Sequence, residues 1–126
     1  MNKKEELNAI NIQLYTLIFF LATTVISVLL TYNQKLSLEK KKTLFGSKQS
    51  LKLTLFNRKL IVILSFIFLY VNIKLYNLSQ EEGEDLKPYT LQIIASVLAI
   101  VSGLIALYVV SLSNTETVAD VENPII

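Results

Sequence analysis

Apolar positions in this chain are bunched into three blocks, residues 9–32, 60–78 and 88–112, with polar stretches between and around them. Blocks of this kind are the pattern of helices solvated by hydrocarbon, not of amphipathic helices facing one core. The first block has no charge across residues 14–30 and covers about 36 Å at 1.5 Å per residue. It is longer than the apolar part of a signal peptide, and Thr31-Tyr32-Asn33-Gln34 offers no small-x-small cleavage site. It therefore reads as a retained span, with Tyr15 and Tyr32 near its ends.

The second block is interrupted by Asn72 and Lys74. Its Leu, Ile, Val and Phe residues supply roughly −4 to −7 kcal/mol of insertion energy, against about 2.5–3.5 kcal/mol for a centrally placed lysine. Lys74 lies near an end and can snorkel, so the span survives. The third block carries no charge, and Pro88 marks its start. Between the second and third blocks, residues 79–87 form an acidic turn with Gly83 at its middle. Nine residues suffice only to reverse the chain, so the second and third helices are expected to pack as an antiparallel hairpin. The expected fold is an all-α membrane protein of three transmembrane helices. A polar N-terminus (1–8), a basic loop (33–59) and an acidic tail (113–126) complete it.

Charge changes this picture by giving it a direction. Residues 35–59 hold eight of the twelve Lys and Arg residues against a single acid, Glu39. A short loop this rich in cations is retained on the cytoplasmic side, which places the N-terminus outside and the C-terminal tail in the cytoplasm. The loop's flanks, Lys35-Leu36-Ser37-Leu38 and Ser50-Leu51-Lys52-Leu53-Thr54-Leu55, alternate apolar and polar residues around a Gly46-Ser47 turn signal. Strict alternation allows a short hairpin lying against the bilayer surface; an irregular connection whose leucines dip into the interface is the favoured reading.

Composition removes many chemistries. With no Cys and no His there is no disulfide, no thiolate or imidazole metal site, and no Ser-His or Cys-His catalytic pair. With three glycines there is no phosphate-binding glycine loop. The Glu81-Glu82-Gly83-Glu84-Asp85 run lacks the alternating spacing of a calcium loop and reads as a solvated turn. The glycosylation acceptor pattern Asn77-Leu78-Ser79 abuts a span and is common by chance. No cofactor, metal or nucleic-acid partner is expected, and no catalytic arrangement emerges. Heavy use of Lys, Asn, Ile and Leu without Trp fits an AT-rich bacterial genome and a cell-membrane location.

Two sets of residues remain as candidate sites. Ser65 and Asn72 share a face of the second helix, and Gln92 begins a stripe of small and polar residues on the third that runs through Ala95, Ala99, Ser102, Gly103 and Ala106. Thr16, Thr23, Ser27 and Thr31 form a similar stripe on the first. Such stripes let membrane helices approach and hydrogen-bond. The expected contact is Asn72 with Gln92, joined by Gln13, acting as interhelical glue. The second set is Lys40, Lys41, Lys42, Lys48, Lys52, Arg58 and Lys59, denser than topology requires and suited to anionic lipid head groups or an acidic partner. The functional expectation is a non-enzymatic accessory component of a membrane complex, bound to membrane lipids and to a membrane protein or a second copy. The alternative is a holin-like or small transport protein acting as an oligomer.

Overall fold

In the computed structural model, which describes residues 3–112, the chain forms three helices: α1 (Lys3–Leu38), α2 (Ser47–Glu81) and α3 (Lys87–Ser111). Each is long and apolar enough to cross a membrane. At 1.5 Å per residue, the 36, 35 and 25 residues of the helices give lengths of about 54, 52 and 38 Å. The expected tail at 113–126 lies outside the described residues.

The packing pattern is a seven-residue repeat. In α1 the buried positions include Ala9, Thr16, Thr23 and Leu30. In α2 two adjacent rows are buried: Asn57, Leu64, Val71 and Leu78, and beside them Arg58, Ser65, Asn72 and Ser79. In α3 the repeat runs through Ser96, Gly103 and Val110. A 3.5-residue period keeps one seam facing its partner along the helix length, as in left-handed coiled coils. Asn57 of the first α2 row bonds Ser27 of α1, and Asn72 of the second bonds Ser96 of α3. α2 is thus the central helix, packed on both neighbours along adjacent rows, while α1 and α3 hardly meet. Contacts advance along α3 as they retreat along α2, from Asn72 opposite Ser96 to Val62 against Gly103.

Polarity is inverted relative to a water-soluble bundle. Among the described residues eleven of the buried ones are polar or charged, while large apolar side chains such as Leu21, Val28, Ile63, Leu98 and Ile105 face outward. In hydrocarbon the outward apolar surface costs nothing, and polar groups must find partners inside.

The connections are short and capped. Glu84 N–H donates to Ser79 O and Gly83 N–H to Gln80 O, with Gly83 at φ +70°. This is a Schellman close of α2, and the left-handed position takes the glycine it favours. α1 closes the same way, with Lys41 N–H on Leu36 O and Lys40 N–H on Ser37 O, but here a lysine occupies the left-handed position at φ 57°. At the start of α3, Asp85 Oδ1 accepts from Lys87 N–H.

The basic segment differs from the expected one. Both alternating flanks are helical, the first as the end of α1 and the second as the beginning of α2, leaving only residues 39–46 between helices. No strand occurs among the described residues, so the surface hairpin does not form. The reason is the heptad row. Ser50, Thr54 and Asn57 are buried against the rest of the bundle, and this period overrides local alternation. Because α2 and α3 are joined by a five-residue link, the extra ten residues of α2 all lie at the basic end, where α1 and α2 outrun α3.

Candidate lipid and partner interface

One residue organises the basic end. Asn33 is buried near the close of α1, and its amide makes four hydrogen bonds. Its Oδ1 accepts from Leu44 N–H at 2.7 Å and Phe45 N–H at 2.9 Å. Its Nδ2 donates to Phe45 O at 3.3 Å and to Ser50 Oγ at 3.1 Å. A side-chain amide has two donors and an oxygen with two lone pairs, so Asn33 is fully used. It holds the 39–46 link against the start of α2.

With the link pinned, the lysines fan outward. Lys35, Lys40, Lys41, Lys42, Lys48, Lys52 and Lys59 are all exposed, and Glu39 sits among them 3.5 Å from Lys41. Lys48, Lys52 and Lys59 follow helical spacing on α2 and form one cationic stripe. Arg58 does not belong to this surface. It is 3% exposed, on the same buried row as Ser65 and Asn72. The far end carries the opposite charge: Glu81, Glu82, Glu84 and Asp85 are exposed there.

The interior polar residues form separate contacts along the two seams. Asn72 Nδ2 donates to Ser96 Oγ at 2.6 Å and approaches the backbone carbonyl of Gln92 at 3.4 Å, and Ser96 Oγ donates to that same carbonyl. The Gln92 side chain is exposed, so its carbonyl, not its amide, meets Asn72. Gln13 lines a cavity with Asn72, Gln92 and Ser96. Ser65 is buried and donates back to Ile61 O. Sequence reasoning passed over Asn33, Ser50, Asn57 and Ser96. Extending the Ser65–Asn72 spacing back by one heptad would have reached Arg58, with Asn57 beside it, and shown that α2 begins well before residue 60.

Because α1 and α3 sit on adjacent rows of α2, a groove lies between them. It holds two adjoining chambers of about 690 and 400 Å³, and both touch Phe20, Ser65 and Ala99. Phe20 stacks on Phe68, with ring centroids 5.1 Å apart.

Three long apolar helices packed through small and polar residues, with one cationic end, define the class as far as the fold allows: helices compatible with a multi-pass membrane protein. No protein-family model matches the chain, and comparison with curated proteins and with solved structures finds no similar one.

Proposed function

We propose that the chain is a three-pass integral membrane protein of a cell membrane, acting without catalysis as an accessory component of a membrane complex. α2 and α3 form an antiparallel transmembrane hairpin, the N-terminus lies outside, and the basic end faces the cytoplasm. There it engages anionic lipid or an acidic partner. The observation that carries this reading is the segregation of charge: seven lysines are exposed around one end, and among the described residues the only buried charged one is Arg58. Cations concentrated beside spans set sidedness, and each contributes about 1 kcal/mol of attraction to an anionic surface. A role in ion coupling is disfavoured because no carboxylate is buried among the described residues, and such pathways use one.

The absence of native cysteine makes the test clean. Single variants Lys41→Cys and Glu84→Cys are treated with a membrane-impermeant thiol reagent in intact cells. Labelling of position 84 alone is expected; labelling of both from outside refutes the sidedness. A photo-crosslinker at position 48 in native membranes then reports the partner. Adducts to lipid or to a different protein are expected, whereas a ladder of self-adducts alone would instead support a permeabilising oligomer.

A further inference from the structure

The larger chamber has a chemical gradient along its length. Its α1 wall runs from Phe20 to Lys35, about 22 Å of helix, which matches one leaflet's hydrocarbon depth of about 15 Å plus its head-group layer. In the deeper part the hydroxyls of Thr23, Thr24, Ser27 and Ser65 are engaged within the protein, while Ser102 is exposed on the α3 wall. Thr23 and Thr24 donate to Phe20 O at 2.7 and 3.0 Å, Ser65 donates to Ile61 O, and Ser27 Oγ accepts from Asn57. What these residues offer an occupant is methyl and methylene surface. Near the basic end the character changes. There Tyr32 and Lys35 line the chamber, and the exposed Lys35 brings a cation to its end.

An apolar trough ending at a cation is complementary to an acyl chain ending in a phosphate. We propose that this chamber holds an acyl chain of an anionic phospholipid from the leaflet at the basic end, with the phosphate at Lys35. The inference rests on the membrane reading above and names the lipid class it takes. The volume of about 690 Å³ lies within the usual range of small-molecule sites.

Native mass spectrometry of the full chain released from detergent micelles tests this, with dioleoyl phosphatidylglycerol and dioleoyl phosphatidylcholine as probes. One phosphatidylglycerol per chain is expected to be retained in preference to phosphatidylcholine. Lys35→Gln should weaken phosphatidylglycerol retention about fivefold, the equivalent of one surface cation, and leave phosphatidylcholine unchanged, while Lys35→Arg restores it. Ser102→Leu, at an exposed chamber-lining position, should reduce retention of both lipids. Helicity by circular dichroism checks that each variant is folded. Equal retention of the two lipids by the native chain overturns the proposal. So does an unchanged Lys35→Gln protein whose preference is lost only on neutralising Lys40, Lys41 and Lys42, which marks a diffuse charge effect. A dimer abolished by Ser102→Leu, with no lipid effect, assigns the chamber to a second copy. In each of these cases the thiol-labelling result stands separately, so failure here is distinguishable from failure of the membrane reading.

Discussion

The two seams of α2 are built differently. Toward α3 the helix makes its closer contact through small residues: Gly103 lies so near α2 that a Cβ there would sit 3.1 Å from Val62 Cγ2. Toward α1 the contact is held by amides at the basic end, Asn33 to Ser50 and Asn57 to Ser27, and by the Phe20–Phe68 stack deeper in. The difference teaches what drives association when the surroundings are as apolar as the side chains. Burying leucine gains nothing there, so helices approach where residues are small and stay where polar groups find each other. Where neither occurs, between α1 and α3, a groove remains.

The comparison can be broken most directly at Gly103. Gly103→Leu should destabilise the α2·α3 seam by about 3 kcal/mol, the upper end of overpacking costs, as read by reversible unfolding in mixed micelles. The α1·α2 contacts should survive, so a disulfide engineered across positions 27 and 57 should still close; failure of that disulfide would show that the seams are not independent. Gly103→Ala should cost much less, and Val62→Ala should rescue it, because the clash is with a single methyl group.

Asn33→Ala comes next, at about 2 kcal/mol, since it strips partners from Leu44 N–H, Phe45 N–H and Ser50 in one step. Its signature is local: faster hydrogen exchange across residues 39–50, with α3 unaffected. Uniform acceleration over all three helices would deny Asn33 its role as a latch.

Asn72→Ala should cost about 1 kcal/mol, the usual scale of a hydrogen bond between membrane helices, and a double-mutant cycle with Ser96→Ala should show most of that as coupling. The last effect is a gain of the same order. Lys40 occupies a left-handed position that glycine adopts without strain, so Lys40→Gly should stabilise the end of α1 by about 1 kcal/mol. Because the position is exposed, a loss of stability would mean that the lysine's charge matters more than its backbone.

Much of this architecture was legible in the sequence, because hydrocarbon imposes a coarse rule that needs no knowledge of packing. The three apolar blocks each fall on a helix, the third overrunning α3 by its C-cap Leu112, Gly83 sits where a turn needed it, and Pro88 opens α3. The helix ends were less legible. Residues 35–38 and 50–55 alternate like strands, and only burial of Ser50, Thr54 and Asn57 on the α2 seam shows why they are helical. The same misreading hid Asn33 and Asn57, because a polar residue in a presumed loop carries no signal. Arg58 was grouped with the lysines by charge alone, whereas its position on the Ser65–Asn72 row sets it inside. Asn72 could be placed opposite the start of α3 by counting from the turn, but its partner at that depth depends on side-chain rotamers that no count supplies.

The unequal helix lengths bear on what the lysines can reach. α1 and α2 outrun α3 by about ten residues, close to 15 Å, and nearly all of that excess rises at the basic end. Ionic screening at physiological salt cuts in over about 8 Å. Lys35 and Lys59 lie on the helices of this stalk, whereas Lys40 to Lys42 lie in the link at its tip. On the membrane reading proposed above, the tip stands farther from the head groups than the foot. Contacts made there should weaken steeply as salt is raised, while those made at the foot of the stalk persist.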